Sequence, residues 1–211
     1  MNKDLSHFRE EYRLMALNEA DVPADPLLLF NKWLEEAIGG GVPEPNAMTL
    51  ATVGRDGKPA ARVVLLKEVS AGGFVFYTNY LSDKGRELEQ NPNASLVFLW
   101  LEMQRQVRIS GRVVKVNAEE SDAYFAIRPR SSQAGAVASP QSTVIESRDE
   151  LEARFEEVLS QDGSIDRPPH WGGYRLMPDN VEFWQGRESR LHDRLRYGKL
   201  ADGWKLERLA P

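Results

Sequence analysis

Residues 47–78, AMTLATVGRDGKPAARVVLLKEVSAGGFVFYT, decide the fold. Residues 47–53 read as a strand and GRDGK (54–58) as a turn. Residues 60–68 return as a second strand, which makes a hairpin. GFVFYT (73–78) is a third strand, rich in aromatic and β-branched residues. Further strands are predicted at 94–101, 104–116, 173–177 and 181–185, with a closing hairpin of 190–197 and 204–209 around Asp202-Gly203. Short consecutive strands without regular crossover helices point to an antiparallel barrel rather than a doubly wound parallel sheet.

Helices flank this β-rich middle. Residues 5–19 are weakly amphipathic. Asp25 can cap a second helix, Pro26 suits its first turn, and Leu27, Leu28, Phe30, Trp33, Leu34 and Ile38 supply apolar positions before Gly39, Gly40 and Gly41 stop it. Ser82 caps a short helix that Pro92 closes, and helical patterns cover 118–127 and 147–159.

Composition narrows the function. The 211 residues suffice for a sizeable core, and 41% hydrophobic with 28% charged residues fits a globular protein. There is no cysteine, which removes disulfide, thiolate and zinc–sulfur chemistry and makes a reducing, cytoplasmic compartment the simple expectation. The opening residues lack the apolar core of a signal peptide, and no apolar run approaches a bilayer span. A net charge of −5 argues against a nucleic-acid surface. His7, His170 and His192 are far apart in sequence, so no metal site is expected. GxGxxG, GxxxxGK[ST] and GxSxG patterns are absent, so Rossmann, P-loop and serine-elbow chemistry are not indicated.

Several cationic patterns remain. In a strand over 190–197, Arg190, His192, Arg194 and Arg196 share one face, either as a solvated edge or as an anion pocket. Ser82-Asp83-Lys84 opens a helix, either as a plain cap or as a phosphate site. Arg62 and Lys67 flank an apolar strand with opposite parity. RPRSSQAG (128–135) is a basic, hydroxyl-rich segment that reads as a surface loop or, with Tyr124, as a phosphate grip. Base rates place Trp184 in the core.

Together these segments carry a resemblance. RVVLLK (62–67), FYTN (76–79), RQV (105–107), RPRSSQ (128–133), FWQG (183–186), RLHDR (190–194) and RLAP (208–211), in this order, resemble the pyridoxine/pyridoxamine 5′-phosphate oxidase family from about Arg9 to Pro211. The resemblance implies an α+β, mainly β fold: an FMN-binding split β-barrel, antiparallel and Greek-key-like, with flanking helices. It implies one unit over 1–211, with 1–24 a lid segment and 170–211 completing the site, and a homodimer with FMN at the subunit interface.

By the same resemblance, FMN contacts fall on Arg62, Val63, Val64, Leu65, Leu66 and Lys67, then Tyr77, Thr78 and Lys84, then Gln106, Gln141, Ser142, Trp184 and Arg194. Arg62, Lys84 and Ser142 would serve the FMN phosphate. Lys67, Tyr124, Arg128 and Ser132 would meet the substrate phosphate, with Arg190, Leu191 and His192 against the pyridine ring and Arg190 and His192 as the catalytic pair. Arg9 and Tyr12 match the lid. Asp83 and Glu10 depart from the pattern, standing where basic residues are common.

The activity implied is pyridoxal 5′-phosphate synthesis from the phosphorylated amine and alcohol vitamers, with O2 as acceptor and H2O2 as product. The alternatives are another FMN oxidase of this fold, of the phenazine-pathway type, and a non-catalytic flavin-binding split-barrel protein.

Overall fold

The computed structural model describes residues 15–211. The described residues form two compact units: 15–48 with Leu96–Ser110 and Pro178–Pro211, and Thr49–Ser95 with Gly111–Met177. The described residues form strands β1 (Ala47–Val53), β2 (Pro59–Leu65), β3 (Glu68–Ser70), β4 (Gly73–Asn79), β5 (Asn93–Trp100), β6 (Arg105–Lys115), β7 (Trp171–Gln185), β8 (Asp193–Leu200) and β9 (Gly203–Arg208). The helices are α1 (Pro26–Gly39), α2 (Asp83–Gln90), α3 (Ala118–Ala126), α4 (Arg130–Ala138) and α5 (Arg148–Leu159). The hydrogen-bonded strand order is β2-β1-β5-β6-β7-β4-β3, with β8 pairing to β7 and β9. The β3–β4, β4–β7, β7–β8 and β8–β9 pairs are antiparallel.

In the first unit, α1 starts as its sequence dictates. The Asp25 carboxylate accepts the Leu27 N–H at 2.9 Å, and Pro26 occupies the first turn, where its missing donor costs nothing. The buried face is Leu29, Phe30, Trp33 and Ala37; Leu28 and Ile38, expected among the apolar positions, are exposed. Helical spacing explains the correction, since Leu29, Trp33 and Ala37 recur every four residues and Leu28 sits off that stripe. The helix packs edge-on through aromatic pairs: Phe30 with Phe98 at 4.9 Å and Trp33 with Phe183 at 5.1 Å. Phe183, Leu195 and Tyr197 are fully buried, which fixes the faces of β7 and β8. Arg105, 3% exposed, is an unexpected buried cation. It is neutralised by Glu36 at 2.5 Å, bonded to Gln185 at 2.9 Å, and laid 4.3 Å over Trp33.

The second unit contains the hairpin. Gly57, at φ +74°, makes the turn after β1, and Asp56 accepts the Lys58 N–H at 3.2 Å. β2 ends at Leu65, not residue 68: Leu66 is buried, the Lys67 N–H bonds Val75 O at 2.8 Å, and β3 restarts at Glu68. β4 is buried along nearly its whole length, whereas β2 leaves Val63 67% and Leu65 37% exposed. Ser82 caps α2 by accepting the Gly85 N–H.

Other expectations needed revision. The basic segment after α3 is not a loop: Arg130–Ala138 is helical, with Ala134 and Ala138 as its buried positions. The separate strands at 173–177 and 181–185 are one strand, β7. The last hairpin begins at Asp193, because Glu188–Arg190 is a 3₁₀ turn with Ser189 and Arg190 at φ 55° and 61°. Of the helix expected at 5–19, residues 5–14 lie outside the described residues. Residues 15–18 are not helical, and Glu19–Asp21 is a 3₁₀ turn.

Candidate active site

A cavity of about 510 Å³ lies in the second unit. β2 contributes Arg62, Val63, Val64 and Leu65, with Lys67 just beyond it. β4 contributes Tyr77 and Thr78, the first turn of α2 Lys84, and α3 Tyr124. Arg128, Pro129, Ser132, Gln141 and Trp171 complete the lining. Two cationic groups stand out.

The first centres on Lys84. Its Nζ lies 3.0 Å from Gln141 Oε1, 3.3 Å from Thr78 Oγ1 and 3.4 Å from Ser82 Oγ. Its pKa is lowered, first by burial and then by the neighbouring Arg62. An anion beside it would relieve both effects. Arg62 donates to Thr52 Oγ1 and, at 2.9 Å, to Glu87. Thr52 and Glu87, which sequence reading did not single out, hold that guanidinium in place. Asp83, the departure that threatened an anion site, turns outward: its side chain is 66% exposed and lies 3.9 Å from Arg86.

The second group is aromatic and cationic. Tyr77 and Tyr124 stack at 3.9 Å with a 19° tilt, and Trp171 lies nearly parallel to both. Arg128 sits 4.6 Å over Trp171. Its Nη1 is buried and has no hydrogen-bond partner among the described residues, and burial lowers its pKa. A buried donor without a partner is costly, so it marks a place where an acceptor fits. The Tyr77 phenol is pushed up to about 12, chiefly by burial and then by Glu68 and Glu120, so it stays neutral. α3 ends at Ala126, so Tyr124 and Arg128 do not share one helix; the turn after α3 brings both to the cavity. Leu66 and Ser142 do not line it. Leu66 is 5% exposed, and Ser142 lies in an exposed turn at φ 67°.

The remaining expected residues belong to the first unit. Gln106 and Trp184 line a small cavity of about 100 Å³ with Leu99, Leu101, Gln104 and Arg105. Trp184 is not a core residue; Phe183 and Gln185 on either side of it are buried, which turns it to the other face. It pairs in register with Arg194, which donates to Glu182 at 2.9 Å and to Ala210 O at 2.8 Å. The His192 ring lies 4.6 Å from Trp184, and its Nδ1 accepts the Arg187 N–H at 3.1 Å. That bond requires an unprotonated Nδ1. Burial, and secondarily Arg190, lowers the His192 pKa, in the same sense. Arg190 and Leu191 are exposed. Since β8 starts at Asp193, the face expected to carry Arg190, His192, Arg194 and Arg196 extends only over the last two. Arg194 and Arg196 are ion-paired with Glu182 and Glu207, so that face is not a bare anion pocket. Arg9 and Tyr12 lie outside the described residues.

Residues 34–162 match the family model described as pyridoxamine 5′-phosphate oxidase, and residues 171–211 match that of the pyridoxine 5′-phosphate oxidase C-terminal dimerisation region. The chain belongs to the pyridoxamine 5′-phosphate oxidase family. It is 56% identical to a pyridoxine/pyridoxamine 5′-phosphate oxidase of Burkholderia vietnamiensis, over 98% of this chain and 99% of that one. It is 55% identical to one of Nostoc punctiforme, over the full length of both. Among solved structures, PhzG from Burkholderia lata, in complex with tetrahydrophenazine-1-carboxylic acid, has a TM-score of 0.91 and 35% identity, covering 96% of this chain and all of that one. A pyridoxamine 5′-phosphate oxidase-related, FMN binding protein of Nostoc punctiforme has a TM-score of 0.71 and 18% identity over 86% of this chain and 97% of its own, a likeness of fold alone.

The fold is therefore that of the oxidase family's antiparallel split barrel with flanking helices, as the sequence led us to expect. Within this oxidase-family chain, sequence reading missed Trp171, Thr52 and Glu87. Each acts on a neighbouring side chain rather than through a motif of its own. The described residues hold no group of three or more His, Asp or Glu side chains that could bind a metal, and no described helix is long and apolar enough to cross a membrane.

Proposed function

We propose that this protein is an FMN-dependent oxidase that converts pyridoxamine 5′-phosphate and pyridoxine 5′-phosphate to pyridoxal 5′-phosphate, with O2 as electron acceptor and H2O2 as product. The observation that carries this reading is one cavity with two anion-ready groups: the desolvated Lys84 cluster, and Arg128 with a buried Nη1 that has no hydrogen-bond partner among the described residues. Two phosphates, one on the cofactor and one on the substrate, need two such grips.

The residues fit FMN. Arg62 and Lys84, which line the cavity, would hold its phosphate, and the exposed turn carrying Ser142 would have to move to add a third contact. Val63, Val64, Leu65 and Lys67, with Tyr77, Thr78 and Gln141, would line the rest, the backbone of Leu66 running between them, and Gln106, Trp184 and Arg194 would add further contacts. FMN, when bound, supplies the two-electron acceptor for oxidation at the substrate C4′ carbon and passes the electrons to O2. The chain's own work is placement. Lys67, Tyr124, Arg128 and Ser132 bind the substrate phosphate, Leu191 bounds the ring, and Arg190 and His192 orient it. His192, whose Nδ1 accepts the Arg187 N–H so that its Nε2 carries the proton, offers that N–H to the substrate alcohol or amine as a hydrogen-bond donor.

We place this enzyme in the cytoplasm as a homodimer with FMN at the subunit interface, which the dimerisation-region match supports. In the first unit, the exposed apolar side chains of Leu99 and Leu101, at 56% and 65%, suit a surface that a second copy covers.

The structural likeness to PhzG favours a second reading, an oxidase of phenazine-type acids. The higher identity to the vitamin oxidases and the phosphate-ready Arg128 weigh against it. Steady-state assays under air decide: pyridoxine 5′-phosphate and pyridoxamine 5′-phosphate should turn over, and a tetrahydrophenazine acid should not. The reverse pattern refutes the vitamin reading.

Lys84→Ala removes one charge-assisted phosphate contact worth about 1.5–3 kcal/mol, so FMN should bind roughly 10- to 100-fold more weakly. Titration of apoprotein with FMN measures this, and unchanged affinity contradicts the role. His192 sets a pH dependence. Its lowered pKa means that the neutral form, with Nδ1 held by the Arg187 N–H, persists below the ordinary histidine value of 6.5. The acid limb of kcat/KM should therefore lie below that value, and the loss of the Arg190 charge should move it upward. A limb above the ordinary value would contradict the geometry.

A further inference from the structure

We infer that Trp171 is a specificity-determining positioning residue, whose indole face holds the Arg128 guanidinium ready for a phosphate-bearing ligand. This inference rests on the proposed function. Its first support is how the other half-buried arginines of the second unit are satisfied. Arg62 pairs with Glu87 at 2.9 Å, Arg167 with Asp122 at 2.6 Å and Arg175 with Glu120 at 2.6 Å. Arg128 has no carboxylate partner among the described residues. It lies instead over Trp171 at 4.6 Å and over Phe125 at 5.7 Å.

The difference matters chemically. A carboxylate takes up some of the guanidinium's N–H donors and offsets part of its charge, as Glu87 does for Arg62, and leaves only the remainder for an incoming anion. An aromatic face offsets part of the cation's lost hydration without using its N–H donors. It also restricts the guanidinium plane, so less freedom is lost when a phosphate binds. A face rather than a counter-ion is therefore the support that leaves the cation available.

Trp171 is itself rigidly held. It is 6% exposed, its N–H bonds Pro168 O at 3.0 Å, its carbonyl accepts Arg167 Nη1 at 2.7 Å, and Phe125 packs edge-on at 5.2 Å. The same indole lies parallel to Tyr124 within 5°, at 6.2 Å. One ring thus orients two side chains of the phosphate group, and it pairs in register with Asn79, beside Thr78. No motif pointed to it, since a tryptophan at a strand start reads as core.

The test compares pyridoxal 5′-phosphate with pyridoxal, by equilibrium binding to the flavin-loaded protein. In Trp171→Leu the phosphorylated ligand should bind about tenfold more weakly or worse, with pyridoxal affinity within about twofold. Trp171→Phe, which keeps a ring, should lose about threefold for the phosphorylated ligand alone. In an Arg128→Met background, Trp171→Phe should have no further effect, because the tryptophan acts through the arginine. If Trp171→Leu does not fold or load flavin, the Trp171→Phe cycle decides. Equal losses for both ligands, no loss for either, or a Trp171→Phe effect that persists without Arg128 would overturn the inference. Failure of the functional reading looks different: the unsubstituted protein would then neither bind pyridoxal 5′-phosphate nor oxidise pyridoxine 5′-phosphate.

Discussion

Replacing Arg190 with Met is expected to lower kcat/KM for pyridoxine 5′-phosphate by about 100-fold or more, with flavin still bound at full stoichiometry. Arg190 is exposed and follows Ser189, and both have left-handed backbone without being glycine. Such conformations cost energy and persist only where the surroundings enforce them. Here they are enforced on both sides. The Leu191 N–H bonds Glu188 O at 3.1 Å, and the Arg187 N–H bonds His192 Nδ1. Asp193 then anchors the segment by accepting Leu17 N–H at 3.1 Å and Arg208 Nη1 at 2.8 Å. A tethered, strained turn that presents an exposed cation beside a neutral histidine suits ligand orientation better than it suits stability. Methionine keeps the flexible, unbranched stem of the side chain and removes the guanidinium with its charge. FMN should stay because its proposed phosphate ligands, Arg62 and Lys84, are untouched. Kinetics and flavin content measured on one preparation separate the cases. Loss of flavin with unchanged turnover per bound flavin would reassign Arg190 to cofactor binding.

Gly85→Ala should destabilise the protein by about 3 kcal/mol or more and weaken FMN binding at least tenfold. Helix propensity alone predicts the opposite sign, since alanine gains about 1 kcal/mol over glycine inside a helix. The close approach decides. A Cβ on Gly85 would lie 2.2 Å from the Tyr80 carbonyl oxygen, 2.5 Å from its carbon and 2.8 Å from its Cα. All three are backbone atoms, so no rotamer change relieves the clash. The first turn of α2 must shift, and that turn carries Lys84 to Thr78 and Gln141. The Gly85 N–H, bonded to Ser82 Oγ at 3.3 Å, would be strained as well. Thermal unfolding and FMN titration test both halves. A raised Tm would mean that the close approach is absent.

Where sequence reading succeeded, the signal was local. β1 runs over the expected residues, and the Ser82 and Asp25 caps sit where the side-chain chemistry puts them. It failed where local patterns imitate one another. VVLLK continues an apolar run without marking that β2 stops, because the break at Leu66 is set by pairing of Lys67 with Val75. α4 buries only small alanines, so RPRSSQAG shows no apolar stripe. Alternating charge over 190–196 imitates a strand, and left-handed backbone at serine and arginine leaves no compositional trace. The cavity residues from Arg62 to Gln141 were legible through family motifs. Trp171, Glu87 and Thr52 were not, because they support cations distant in sequence.

The most direct test is to purify the protein, record its visible spectrum, and follow pyridoxal 5′-phosphate and H2O2 formation from pyridoxine 5′-phosphate under air. The expected result is a yellow protein that forms the two products in equal amounts. A colourless protein that cannot be reconstituted with FMN, or a flavin-loaded one that turns over neither phosphorylated vitamer, would contradict the account.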